Sequence, residues 1–353
     1  MVMGAIDHKQ AMPILSHVLL KINDNQLFVT GTDLEIELVG QSVLPNKQAD
    51  VAVTLPARKL MDICKALPDF APIELYQERD RVIVKSERSR FVISMMSADD
   101  FPNTELSAEN VIFSIKQKEL SYLLRRTTFA MAQQDVRYYL NGTLFEIGNG
   151  QLKMVATDGH RLALNQTRIS ISPTQQAQVI VPYKGVMELI RLLTKESDQV
   201  VTVHVGQRHI RVLSHDFAFT SKLVEGRFPD YQRVIPKMGD KVITIDRDVL
   251  RQALTRTAVL SNEKARGVRF ELENNLLQLF SNNPEQEAAE EAVDIDYHGT
   301  QFDIGFNVNY LLDTLQVIEP GLVRLVLIDT NHSMRIEEPN NKNSLFVVMP
   351  MRM

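Results

Sequence analysis

A single cysteine, Cys64, is present in the 353 residues, so no internal disulfide can form and a reducing, cytoplasmic setting is expected. No apolar run approaches the roughly 18–20 residues a membrane-spanning helix needs, so no membrane partner is expected. The opening residues Met1-Val2-Met3-Gly4-Ala5-Ile6-Asp7-His8-Lys9 lack the apolar core and cleavage site of a signal peptide. Basic charge is not in excess: Lys and Arg number 39 against 44 Asp and Glu, a net charge of −5. That excludes a chain that coats nucleic acid through bulk charge, and any phosphate contact must come from basic residues sorted onto one surface. No glycine-rich phosphate loop of the Walker type occurs. Thr157-Asp158-Gly159-His160-Arg161 holds a His and an Asp but neither a nucleophile nor metal-ligand spacing. The acidic run at 285–291 lacks the paired-acid pattern of two-metal phosphoryl chemistry. Cys64, between apolar neighbours Ile63 and Ala66 in a predicted helix, reads as a buried, inert thiol. Catalytic residues, metal ligands and cofactors are therefore all expected to be none.

What the chain does have is internal repetition. Leu27-Phe28-Val29-Thr30-Gly31-Thr32-Asp33 is echoed by Leu152-Lys153-Met154-Val155-Ala156-Thr157-Asp158, and again by Leu277-Gln278-Leu279-Phe280-Ser281-Asn282-Asn283. Val53-Thr54-Leu55-Pro56, Val179-Ile180-Val181-Pro182 and Ile304-Gly305-Phe306-Asn307 recur with nearly the same period, each leading into an apolar helical stretch. Phe101-Pro102-Asn103 and Phe228-Pro229-Asp230 close the first two copies. Units this long are domains rather than solenoid repeats. The spacing predicts three, at residues 1–108, 111–232 and 236–353, with linkers near 103–110 and 233–240.

Each copy reads mostly as strand. Val18, Leu20 and Ile22 alternate, Asn23-Asp24-Asn25 turns the chain, and Leu27 and Val29 alternate again, a hairpin signal. Two helices interrupt a complete copy. The first is expected at 116–132 and 247–260, and the second after Pro56, Pro182 and Asn307, proline being suited to a first helical turn. The class is α+β, dominated by antiparallel sheet. In the first copy the opening strand and helix would precede residue 1, with only the helix end in residues 1–7.

Four of the five helical segments carry more basic than acidic residues, including Arg58, Lys59, Arg125, Arg126, Lys184 and Arg191. Such helices suit a surface that attracts phosphate without reading bases. Two helices per copy, three copies and two chains would make twelve helices. At about 9 Å between axes these span a circumference of about 110 Å, leaving a hole of roughly 25 Å once a helix diameter of about 10 Å is removed. A duplex fits that hole, and a dimer is the smallest ring that provides it. Closure calls for a head-to-tail joint. Arg81, Arg88 and Arg90, with Lys59, face Glu285, Glu287, Glu290 and Glu291 in charge, and Phe91 against Val259 and Leu260 would supply an apolar centre.

Several longer stretches carry a family resemblance. They are Asp135-Val136-Arg137-Tyr138-Tyr139-Leu140-Asn141-Gly142, Ala156-Thr157-Asp158-Gly159-His160-Arg161-Leu162-Ala163, Phe219-Thr220-Ser221-Lys222-Leu223-Val224-Glu225-Gly226-Arg227-Phe228-Pro229-Asp230-Tyr231, and Val348-Met349-Pro350-Met351-Arg352. Together they resemble the beta subunit of bacterial DNA polymerase III, the sliding clamps, across the whole chain. Members of that family begin about fifteen residues earlier. The resemblance implies the DNA clamp fold: three repeated domains, antiparallel sheets outside and helices lining a central hole. It implies a non-catalytic homodimer ring on duplex DNA, loaded by an ATP-driven clamp loader. The ring would tether the replicative polymerase alpha subunit, other polymerases and repair proteins through a short linear motif. DNA contacts are implied at Lys9, Arg58, Gln134, Tyr138 and Tyr139, where an exposed base could stack on a tyrosine. The motif pocket is implied at Arg137, Leu140, Thr157, Gly159, His160, Arg161, Leu162, Pro229, Arg233, Val234, Ser333, Val347, Met349, Pro350 and Met351; its Leu, Val and Met side chains suit a short apolar peptide. A shortened chain that docks peptides without closing a ring is the alternative reading.

Overall fold

Alternation of apolar residues around short turns produces antiparallel hairpins throughout. In the first, Leu20 pairs with Val29 across Asp24-Asn25, both of which take positive φ (48° and 64°), a region Asn and Asp tolerate. Counterpart hairpins turn at Asn149-Gly150 and Asn274-Asn275. The computed structural model describes residues 1–6, 12–104, 108–194, 196–237 and 239–352. It divides into two compact units, residues 1–118 with 187–223, and residues 119–186 with 224–353.

The first unit holds an eight-stranded sheet ordered Val51–Pro56, His17–Asn23, Gln26–Thr32, Ile36–Val43, Phe217–Lys222, His209–Leu213, Val200–Gly206, Glu109–Lys116. Its middle seam joins Ile36–Val43 to Phe217–Lys222, so one repeat's strands continue into the next repeat's. A three-stranded sheet, Glu74–Glu78, Arg81–Ser86 and Ser89–Ser94, packs against it through Val82, Val84 and Ile93 on Leu20, Val53 and Leu55.

The second unit repeats this plan. Its eight strands run Ala177–Pro182, Gly142–Gly148, Gln151–Thr157, Arg161–Arg168, Asn341–Val348, Met334–Glu338, Leu322–Leu327, Lys241–Asp246. The seam here joins Arg161–Arg168 to Asn341–Val348. A four-stranded sheet runs Ala288–Asp294, Leu276–Asn282, Gly267–Glu273, Phe302–Asn307.

Five α-helices occur among the described residues: α1 (Ala57–Ala66), α2 (Gln117–Arg125), α3 (Tyr183–Leu192), α4 (Arg247–Ala258) and α5 (Val308–Val317). Asp246 caps α4 and Asn307 caps α5 by accepting from two backbone N–H groups each. Pro56 sits at the N-cap of α1. Sequence periodicity placed α2 at 116–132, but the helix stops at Arg125 and a 3-10 turn follows at Thr128–Ala130. Thr127 and Thr128 hydroxyls donate back to the Leu123 and Leu124 carbonyls, which competes with continued helix. The expected helix end in residues 1–7 is a 3-10 turn, Val2–Ala5, and Asp7 lies outside the described residues. Cys64 was expected to be buried; it is exposed, because Leu60 and Ile63 take the inward face of α1.

Candidate functional site

The repeated Thr-Asp signature is turn chemistry. The Thr157 hydroxyl donates to the Arg161 carbonyl (2.6 Å) and accepts from Gly159 N, while Asp158 Oδ1 accepts from the backbone N–H groups of His160 and Arg161. Thr32 and Asp33 make the same four bonds to Ile36, Leu34 and Glu35 in the first repeat. The two copies differ at one backbone position. Leu34 holds φ 75° in the first, whereas Gly159 holds φ 91° in the second, where a Cβ would lie 3.1 Å from the Arg137 guanidinium. Glycine thus removes strain and makes room for an arginine.

That arginine borders a cavity of about 220 Å³ in the second unit, lined by Arg137, Tyr139, Leu140, Thr157, Gly159, Arg161, Leu162, Pro229, Asp230, Tyr231, Val234, Val347 and Met349. Its apolar floor is the core around Leu144, Val155, Leu162, Tyr231 and Val347. Two guanidiniums stand at the rim. Arg137 chelates Asp135 (Nε–Oδ1 3.0 Å, Nη2–Oδ2 2.8 Å) and donates to the Asp158 carbonyl. Those hydrogen bonds hold the Asp135 carboxyl well down, to about 2. Arg161 bridges Asp158 and Asp313 and stacks on Tyr310 at 4.7 Å. Burial pushes the Tyr231 phenol up, and its hydroxyl donates to Glu146.

Ten of the fifteen residues expected in the pocket therefore line this cavity. Arg233 and Ser333 line a neighbouring depression that shares Asp230 and Val234 with it. His160 stacks on Tyr310, and its carbonyl accepts from Met349 N (2.8 Å), which places Met349 at the rim. Pro350 is half-buried beside it, outside the lining set. Met351 also falls outside the lining set: it bridges to Gly305 and lines a different hollow with Asn262 and Phe280. Past Pro350 the chain has left one sheet for the other. Asp230 and Tyr231 were missed, although both lie in the Phe228-Pro229-Asp230-Tyr231 motif. Tyr139, expected at DNA, is a cavity wall.

Models of the DNA polymerase III beta subunit match almost the whole length: the N-terminal domain at residues 1–105, the central domain at 114–230 and the C-terminal domain at 232–352. The chain belongs to the DNA polymerase III beta subunit family. A beta sliding clamp of Pseudomonas aeruginosa is 52% identical over 353 residues, covering all of this chain and 96% of the relative. The Escherichia coli beta sliding clamp is 47% identical over 352 residues with the same coverage. A crystal structure of the P. aeruginosa DNA polymerase sliding clamp superposes with a TM-score of 0.97, covering 100% of this chain and 95% of that one. The Caulobacter crescentus pol III beta structure, at 32% identity and 96% of its length, gives 0.93. The match of all three domain models argues against the peptide-docking adaptor that never forms a clamp.

The other residues expected at DNA and at the joint, from the resemblance or from charge, are placed as follows. In the first unit Arg58 is exposed, and Arg191 is exposed but tied to Glu188 and the Met1 carbonyl. In the second, Gln134 and Tyr138 are exposed, Lys184 is half-buried, and Arg125 is half-buried with Nε on Ser121. Lys9 lies outside the described residues. Arg126 is a correction: it is 2% exposed, paired with Glu338 and bonded to the Val317 carbonyl, so it cannot meet phosphate. Of the joint residues, Lys59, Arg81, Arg88 and Arg90 are exposed and Phe91 is half-buried. Val259 is 75% exposed beside half-buried Leu260. Glu285, Glu287 and Glu290 are exposed, while Glu291 is chelated by Arg256 within its own chain. Among the described residues no helix is long and apolar enough to cross a membrane, and no cluster of three His, Cys, Asp or Glu could hold a metal.

Proposed function

We propose that this sliding clamp, a non-catalytic processivity subunit for DNA polymerase, closes as a head-to-tail homodimer of three-domain chains around duplex DNA. The boundaries taken for those domains are 1–108, 111–232 and 236–353. An ATP-driven clamp loader places it there in the cytoplasm. Polymerase alpha subunits, other polymerases and repair proteins dock by a short linear motif in the cavity above. Tethering then acts by effective concentration at the primer end. Arg58, Arg125, Lys184 and Arg191 contribute basic charge, and Gln134 and Tyr138 are the further contacts with the nucleic acid.

The observation that carries the reading is the cavity itself. It has apolar walls and an arginine at each rim, and it sits on the seam where strands of the second and third repeats pair. A short peptide can place apolar side chains on Leu162, Val347 and Met349 while Arg137 and Arg161 receive its carbonyls or carboxylates.

Repetition also supports the joint and gives its register. Ser89–Ser94 and Ala288–Asp294 are edge strands of the two smaller sheets, at the places where the larger sheets continue into the next repeat. The bond from Met95 N to Asp80 O matches that from Leu223 N to Arg208 O, so Arg90 corresponds to Ala218. The Leu276–Asp294 pair matches Gln26–Val43, so Glu290 corresponds to Val39. Ala218 pairs with Val39 in the first unit's seam. Arg90 of one chain thus faces Glu290 of the other, and Phe91 faces Ala289.

The test is retention on DNA after loading. A closed ring stays on circular DNA and slides off linear DNA with open ends. Equal loss from both substrates would refute encirclement.

A further inference from the structure

The buried cation excluded above from DNA contact sits directly behind the peptide cavity. Arg126 follows α2, and its two terminal nitrogens part company: Nη1 donates to the Val317 carbonyl at the end of α5 (2.7 Å), and Nη2 pairs with Glu338 at the end of strand Met334–Glu338. Its guanidinium also lies over Tyr122 at 5.1 Å and Phe346 at 5.5 Å. Phe346 meets Phe129 at 6.1 Å between ring centres, and Arg161 lies over Phe129 at 5.3 Å. The chain of contacts that begins at Arg126 therefore ends on the cavity rim.

Strand geometry explains why this matters on the other face. Successive side chains on a strand point to opposite sides. Val347 lines the cavity, and its neighbour Phe346 turns the other way, onto Arg126. Across the seam, Leu162 pairs with Val347 and Ala163 with Phe346. The same two strands carry peptide walls on one face and the Arg126 contacts on the reverse. Burying an ion pair carries a desolvation cost that an apolar pair of similar size would avoid, so packing alone does not account for it. What an arginine adds is a rigid fork that grips two acceptors on separate elements.

We propose that Arg126 is a positioning residue for the peptide cavity: by fastening α2, α5 and strand Met334–Glu338 behind the seam, it holds the Leu162 and Val347 walls in the spacing a bound peptide requires. The inference rests on the cavity being the peptide-docking site. It predicts a loss of affinity from a residue that touches no peptide.

The experiment compares full-length wild type, Arg126→Met, Arg126→Lys, Glu338→Gln and the wall variant Met349→Ala. The probe is a fluorescein-labelled pentapeptide containing Leu and Phe, read by anisotropy, with methyl NMR of the free proteins alongside. Arg126→Met should bind the peptide about tenfold more weakly and shift the Met349 methyl resonance, leaving the Met95 and Met96 methyls in place. Arg126→Lys, which can reach only one of the two acceptors at a time, should fall between. Glu338→Gln keeps the size and removes the charge; it should give a smaller shift in the same direction and serves if Arg126→Met does not fold. Wild-type affinity in Arg126→Met beside a loss in Met349→Ala overturns the positioning role alone. So does a weakened Arg126→Met whose Met349 methyl has not moved. Failure of the wild type to bind, or wild-type affinity in Met349→Ala, overturns the cavity assignment first and this inference with it.

Discussion

Leu162 stands directly opposite Val347 in the antiparallel ladder that joins strand Arg161–Arg168 to strand Asn341–Val348. Each is 2% exposed, and each forms part of the cavity floor. The cavity proposed to receive a peptide and the seam between two repeats are therefore one structure. A peptide bound there rests on residues that also hold the repeats together, so affinity and seam integrity are coupled.

The coupling makes the two C-terminal methionines separable. Met349 stands at the cavity rim, tied by its backbone N–H to His160, while Met351 has crossed to the Gly305 edge of the four-stranded sheet. Met349→Ala removes part of a contact wall and should weaken peptide binding by on the order of fivefold, consistent with partial burial of a methionine side chain. Met351→Ala should leave peptide affinity at the wild-type level. Fluorescence anisotropy on the two single variants decides the point; equal losses would mean that the rim extends farther than the cavity shows.

Asp135 offers a titration test of the rim. Its carboxyl is depressed to about 2 by the paired hydrogen bonds from Arg137. A depressed acid favours the folded arrangement above its ordinary value, and that advantage disappears as pH falls through the depressed value. The Arg137 anchor should therefore stay intact through the neutral and mildly acidic range and release only near pH 2. Carboxyl-carbon NMR of Asp135 reads this directly. A midpoint near the ordinary carboxylate value would show that Arg137 does not hold it in solution.

How much of this was legible in the sequence depended on distance along the chain. The Thr32-Asp33 and Thr157-Asp158 signatures are local turns, so their repetition was visible and the hairpins followed from it. The cavity residues were found chiefly through motif resemblance, because the strands that bring Leu162 to Val347 are far apart in sequence. Arg126 was misread for the same reason. Beside Arg125 on a basic helix it looked like a phosphate contact, but its partner Glu338 lies 212 residues away. The end of α2 was misjudged because periodicity continues through Thr127 and Met131, whereas the threonine hydroxyls divert the backbone bonding.

That misreading separates two neighbouring arginines experimentally. Arg125→Glu changes a half-buried cation on the proposed DNA-facing helix and should lower the slope of log retention against log salt by about one or more. Arg126→Glu instead places an acid against buried Glu338 and should destabilise the fold by about 3–5 kcal/mol, the cost of an uncompensated buried charge. Calorimetry and a salt series on loaded circular DNA distinguish the two effects. If Arg126→Glu melted like the wild type, the burial of its ion pair would be wrong.

The register inferred for the joint gives the most specific prediction for the ring. Arg90 and Glu290 are both exposed in the single chain and fall opposite each other when the repeat seam is copied between subunits. Exposed ion pairs contribute only about 0–1 kcal/mol, so Arg90→Glu should weaken the dimer modestly, by like-charge repulsion across paired strands. Glu290→Arg should do the same, and the double exchange should recover most of the loss because the pair is restored with its charges reversed. Phe91→Ala should cost more than either, since the inferred register sets Phe91 opposite Ala289 and removing the ring takes away apolar area. Sedimentation equilibrium over a dilution series measures all four. Independent, additive losses in the double variant would place these residues out of register, and the head-to-tail joint would have to be redrawn with Glu287 or Glu285 as the partner of Arg90.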